Sequence, residues 1–434
     1  MTGIIHFPAS SRRSRCVSRR TLIAGAACYA ATTAFGPPAL AQDDAEPDAP
    51  VESFPERPLY EGNARRRLQS LLELVPVDAL GGPDPNSWLF TWLDLQTHLT
   101  VMGSPDLYAD ATNTAAILAP LVSDDPLFRE ALNEESRGIF GFSVFDVHQV
   151  LVAGVAPDQL TYYAGGLPVA DLPSTWEAAG YEKKSGEAGD YWTIGEDGEL
   201  SLDLPAGRIG TGRLNNAAIL NDGIVVFAGT AAQLQQVQAL AGGGGESAAG
   251  LQDLDALIST MPLDAVNVIP VPGAGLEAQS ITPENPGAEL NQTTTDLLAE
   301  SDEAVGPMPE IDMALFGITA GIVAPLAARD DGTPSATPEV LQSVADARFF
   351  VHLLAGSAAD AVAAAEVVAW RIEHMISPVA GYPYSELLVP EFSTQDAAQG
   401  EVAALAFANP RALEAWHQML AMQDIWPFVW LEAE

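Results

Sequence analysis

Cysteine is nearly missing from this chain of 434 residues, and the only two, Cys16 and Cys28, fall within its first thirty positions. If that leader is removed, disulfide frameworks, thiolate metal sites and cysteine nucleophiles are excluded together. Lysine is equally scarce, with Lys183 and Lys184 the only two. Of 19 basic residues, five precede Ala41, while none of the 58 acidic ones does; the remaining 14 against 58 give −44, beyond the −39 of the whole chain. A field of that sign repels nucleic acid and anionic lipid headgroups and favours solubility in a salty or acidic exterior, with divalent cations or basic partners as its weaker attraction. Catalytic motifs are lacking too. No serine sits in a Gly-x-Ser-x-Gly elbow, and no histidine pair has zinc spacing, so neither a metal nor a cofactor is expected.

What is present begins at the leader. Five arginines up to Arg20 precede an Ala-, Gly- and Thr-rich apolar stretch from Thr21 to Phe35, and Ala39-Leu40-Ala41 forms a small-x-small cleavage site. Ser18-Arg19-Arg20-Thr21-Leu22-Ile23 resembles the twin-arginine export signal of bacteria, through the paired Arg19 and Arg20 and the hydrophobic Leu22 and Ile23; the trailing Lys common in that signal is absent. The resemblance covers the leader alone and implies a protein exported already folded, outside the cytoplasm, beginning at Gln42 after cleavage. Gly25-Ala26-Ala27-Cys28 offers the rival reading of a lipid anchor on Cys28.

Composition then divides the chain into a signal (1–41), an acidic, Pro-rich spacer (42–63), a helical subdomain (64–154), a first α+β lobe (155–276), an acidic linker (277–310) and a second α+β lobe (311–434). Apolar residues at helical spacing predict helices over 64–74, 87–102, 111–121 and 126–135, with one more over 143–153. In the first lobe, Asn221-Asp222-Gly223 predicts a hairpin between strands 216–220 and 224–228, and Thr230-x-x-Gln233 a capped helix. In the second, strand 348–354 precedes a helix capped by Ser357-x-x-Asp360, and strand 402–407 precedes a helix opened by Asn409-Pro410. The fold class is α+β, with an N-terminal helical section followed by two sheet-plus-helix lobes; the shared rhythm suggests a duplicated ferredoxin-like layout. The uncharged stretch 313–328, with Gly317-x-x-x-Gly321, is too short to span a bilayer and reads as buried strands or a core helix, so no transmembrane helix is expected after the leader.

Candidate site residues are few. Asp94 and His98, four apart on the expected helix, form an acid/base pair if they share its face. Arg208 and Arg213, within Gly207-Arg208-Ile209-Gly210-Thr211-Gly212-Arg213, offer an anion cradle; the bland alternative is a loop or β-turn. His148 reads as surface decoration on a short helix and His352 as a hydrogen-bonded core group. His374 and His417 read as solvent-facing flanks of helices, and Asp197-Gly198-Glu199 and Asp330-Asp331-Gly332 as turns before calcium ligands. The tail Trp426-Pro427-Phe428-Val429-Trp430 closes a core or docks on a subunit. The reading is a non-enzymatic protein binding a small ligand or protein partner in a groove between its lobes, its oligomeric state open. The alternatives are a carboxylate-dependent hydrolase and a surface or assembly protein docking through its aromatic tail.

Overall fold

The structure is a computed structural model. It describes residues 63–84, 87–95, 138–143, 146–154, 158–199, 203, 205–210, 212–220, 223–276, 288–319, 348–379, 381–408, 415, 419 and 424–429. The leader, the spacer up to position 62, and the expected helices at 111–121 and 126–135 lie outside these residues.

Thirteen strands form one antiparallel sheet among the described residues. They are β1 (Phe90–Asp94), β2 (Val147–Ala153), β3 (Leu160–Gly165), β4 (Glu182–Ser185), β5 (Asp190–Thr193), β6 (Asn216–Ile219), β7 (Ile224–Ala228), β8 (Ala265–Pro272), β9 (Ile311–Thr319), β10 (Arg348–Ala355), β11 (Val389–Pro390), β12 (Ala398–Gln399) and β13 (Val402–Ala408). Their order is β11-β13-β10-β9-β8-β1-β2-β3-β7-β6-β5-β4, with β12 also on β13. The helices are α1 (Ala64–Leu72), α2 (Leu172–Ala178), α3 (Pro205–Gly210), α4 (Ala231–Ala241), α5 (Gln252–Thr260), α6 (Gly273–Leu276), α7 (Ala288–Val305), α8 (Ala358–His374), α9 (Tyr384–Leu387) and α10 (Thr394–Ala397).

Side chains of a strand alternate between its faces, and here both faces are buried. On β10, Phe349, Val351 and Leu353 enter one core with α2, α7 and α8, while Phe350 and Leu354 enter a second core with α1, α4 and α5. On β1, Leu93 belongs to the first core and Phe90 and Trp92 to the second. The architecture is three layers, helix on sheet on helix. Gly317 shows how tightly the sheet packs: a Cβ there would lie 2.0 Å from the Phe350 ring, its partner across β9 and β10. The Gly317-x-x-x-Gly321 spacing thus begins at a close approach inside a strand, not on a helix face.

Several expectations hold in detail. Thr230 accepts a hydrogen bond from the Gln233 backbone N–H to cap α4, and Ser357 accepts one from that of Asp360 to cap α8. β6 and β7 form the hairpin, with Gly223 at φ +76°. Other expectations are overturned. Within the section expected to be helical, α1 forms, but 90–94 and 147–153 are the paired strands β1 and β2. The acidic linker contains the 18-residue helix α7, which buries Leu298 and Ser301. The apolar residues that α8 buries are Ala361, Ala364, Ala365, Val367, Val368 and Ile372, while Ile376 is exposed beyond the helix end.

The lobes do not separate at a groove in the sheet: β8 and β9 pair from Ala265 with Thr319 to Pro272 with Met313, across the expected boundary. All thirteen strands belong to one continuous antiparallel sheet, in which two separate ferredoxin-like units are not distinguished. Among the described residues no helix is long and apolar enough to cross a membrane.

Candidate functional site

Asp94 ends β1 fully buried, opposite Gln149 of β2. It lies at the end of a strand, and His98 lies outside the described residues. Its partner is instead Arg67, delivered by α1, whose Leu68, Leu71 and Leu72 dock on the sheet. The Arg67 Nε donates to Asp94 Oδ2 at 2.8 Å, and Nη2 donates to the same oxygen. A carboxylate oxygen that accepts two guanidinium donors is poorly placed to take a proton from a substrate.

The glycine-rich basic segment is not a loop along its first half. Residues 205–210 form α3, and the Arg208 side chain lies outside the described residues. Arg213 turns into the protein: its Nε donates to the Gly210 carbonyl at 3.0 Å and its Nη1 to Gln159 Oε1 at 3.0 Å. It fastens the turn after α3 to the start of β3, and it does not present its guanidinium as an anion cradle.

The histidines divide. His148 is not surface decoration on a helix; it lies fully buried on β2, at the register shift between Val147 and Gln149. His352 on β10 is the core group expected. Its Nδ1 lies 2.8 Å from Thr260 Oγ1 at the end of α5, and burial pushes its pKa down to about 3, holding the ring neutral. His374 is exposed and stacks on Trp370 with ring centroids 4.3 Å apart. His417 and 330–332 lie outside the described residues. Asp197 serves a turn: its Oδ1 accepts from Asn216 Nδ2 at 3.1 Å and from the Ala231 backbone at 3.0 Å.

Two polar clusters have no counterpart in the sequence reading. On α8, Arg371 is fully buried; its Nε donates to Ser301 Oγ of α7 at 3.0 Å, and Nη1 donates to the Val429 carbonyl. The Asp302 carboxylate stands 3.5 Å from Nη2. Burial dominates that pair on both sides, lowering Arg371 to about 10 and raising Asp302, as expected of an ion pair too loose to offset desolvation. Close by in sequence, buried Asp424 accepts hydrogen bonds from Ser377 Oγ at 2.5 Å and from the Tyr384 hydroxyl. Both clusters grip the segment 424–429, whose Phe428 packs edge-on against Phe316 and Phe407. Trp426 and Phe428 therefore close a core, and these rings are not available for docking on a partner. The one hint in the sequence was a lone arginine set at helical spacing inside the alanine- and valine-rich stripe of α8.

At the rim, the Asp312 carboxyl at the start of β9 is pushed up, first by partial burial and then by the charges of Glu310, Asp253, Glu401 and Asp84. Among the described residues no group of His, Cys, Asp or Glu is arranged to hold a metal ion. No family model, curated protein or solved structure matches the chain.

Proposed function

We propose that this is an exported protein, carried out by the twin-arginine route and cleaved after Ala41, that binds a cationic or neutral ligand or partner and does not transform it. The observation that carries this reading is the engagement of the two nominated side chains among the described residues. Asp94 is held by Arg67, and Arg213 by Gly210 and Gln159. The sign of the ligand follows from 58 acidic residues, whose field repels anions. The twofold rhythm of the chain fits a repeated unit in this reading. Three strands in meander, β1-β2-β3 and β8-β9-β10, each lead into a helix, and the two sets meet at β1 and β8.

One experiment tests both parts. Protein collected outside the cell is weighed intact and melted against polyamines, cationic peptides, divalent cations, neutral sugars and, as controls, anionic metabolites. The expected result is a mass beginning at Gln42 and a melting temperature raised by a cationic or neutral compound only. A lipidated mass beginning at Cys28 overturns the cleavage assignment, and a melting temperature unmoved by every compound overturns the binding assignment.

A further inference from the structure

α5 and α8 lie on opposite faces of the sheet and are fastened to it unequally. α8 runs for 17 residues, is capped by Ser357 and buries seven side chains, Arg371 among them. α5 runs for nine, has no side-chain cap at its N-terminus and buries three, Leu254, Leu257 and Ile258. Local opening is drawn from elements with few buried contacts.

The polar ties of α5 gather at its last turn. Arg65 of α1 donates from Nη2 to the Thr260 carbonyl at 3.2 Å and from Nε to the Met261 carbonyl. His352 of β10 is the one sheet side chain among the described residues that hydrogen-bonds to α5, through Thr260 Oγ1. Because the Thr260 hydroxyl donates to the Leu257 carbonyl at 2.8 Å, it accepts from the ring; the proton of the neutral imidazole is then on Nδ1, and Nε2 is the position for a second.

The surroundings oppose that second proton. Across the sheet His352 faces Leu315 of β9 and Ala404 of β13, and β13 carries no charged residue. On β10 itself Arg348, at the far end, is paired with Glu391, and on β9 the nearest charge is Asp312 at its start. α5 has Asp253 and Asp255 in its first turn, the second bound by Gln69 of α1 at 2.9 Å. α1 also brings Arg65 and the Asp94-bound Arg67. Burial weighs most against a charged ring; the Leu257 carbonyl favours it and the Arg65 charge opposes it.

We propose that His352 is an acid-operated catch: proton uptake at Nε2 lets α5 leave the sheet by itself, while α8 on the other face stays docked. A buried charge beside Arg65 needs water or a counter-ion, and α5 is the element whose departure admits water to the ring. With the ring at its ordinary value of 6.5 once uncovered, against about 3 when covered, opening becomes about 25-fold easier between pH 7 and pH 5. The cover is thus shut near neutrality and loosened in the acidic exterior that the composition suits.

Amide hydrogen exchange of the isolated protein, corrected for the intrinsic pH dependence of exchange and read by mass spectrometry at pH 7 and pH 5 with and without low urea, tests this. At pH 5 the α5 amides are expected to be less protected than those of α8 and indifferent to urea, as a small opening requires, and to have lost about 25-fold in protection relative to pH 7. His352→Asn, which keeps a donor near the Nδ1 position but takes up no proton, is expected to hold its α5 protection level over the same range. α5 amides that exchange at pH 5 with the protection and urea response of α8 overturn the proposal, since acid would then act only through global unfolding. So does a wild type whose α5 protection stays level, or an Asn variant that keeps the wild-type fall. If the Asn variant does not fold, His352→Leu is read by the same criteria.

Discussion

On the face covered by α7 and α8, buried Arg371 donates to Val429 and buried Asp424 accepts from Ser377 and Tyr384, so the segment 424–429 is joined to distant parts of the chain. On the face covered by α1, α4 and α5, the Arg67–Asp94 pair and the neutral His352–Thr260 contact join helices to strand residues of the same layer stack. The first arrangement compensates for a segment with little secondary structure of its own, in which only 426–428 form a short 3-10 turn. The second merely trims helices that already dock through Leu68, Leu234 and Leu257. On the first face buried hydrogen bonds hold a segment that has little regular structure of its own.

If that contrast is right, the largest loss comes from Asp424→Ala. It removes the acceptor that the Ser377 and Tyr384 hydroxyls share, leaving them only each other, and at about 1.5–3 kcal/mol for each of the two hydrogen bonds lost the cost is about 3–6 kcal/mol. Urea unfolding followed by tryptophan fluorescence measures it. A loss below about 1 kcal/mol would show that the segment is held by Phe428 and its neighbours alone.

The opposite face is expected to respond to acid. His352 has a folded pKa of about 3 against 6.5 unfolded, so the unfolded chain takes up the proton first as pH falls, and stability is lost between 6.5 and 3. At pH 5 this amounts to about 2 kcal/mol. His352→Leu removes that component and leaves Thr260 satisfied, since its hydroxyl donates to the Leu257 carbonyl at 2.8 Å. The variant should therefore show a flatter stability profile from pH 7 to 5 than wild type, by urea titration at each pH; parallel profiles would mean that His352 is not held neutral.

The layering explains how much of this was legible. Helices announced by caps, α4 and α8, and the hairpin announced by Asn221-Asp222-Gly223 lie where the residues place them, because caps and turns are local. β1 and β2 were read as helix because a strand buried on both faces loses its alternation: Phe90-Thr91-Trp92-Leu93 and Val150-Leu151-Val152-Ala153 have no polar face to set the period. Asp94, one member of a candidate pair that rested on helical spacing, ends a strand, and His98 lies outside the described residues. Arg67 and Asp94 are 27 positions apart, and Ser377 and Asp424 are 47 apart. No pattern within a sequence window links such partners; the sheet order does.

The rim offers the smallest and most discriminating change, because neither face encloses it. Asp312 has a folded pKa raised above its unfolded value, so its ionisation opposes folding at neutral pH, and stability falls as pH rises through that range. Asp312→Asn is therefore expected to stabilise the protein at pH 7, by less than about 1 kcal/mol because the group is largely solvated. The part of that gain due to Glu310, Asp253, Glu401 and Asp84 is screened by salt, while the part due to burial is not. Thermal melts of both proteins in 0.05 M and 1 M NaCl separate the two. A gain that shrinks at high salt assigns the strain to the surrounding acids; one that persists unchanged assigns it to desolvation; a destabilised variant at low salt contradicts both.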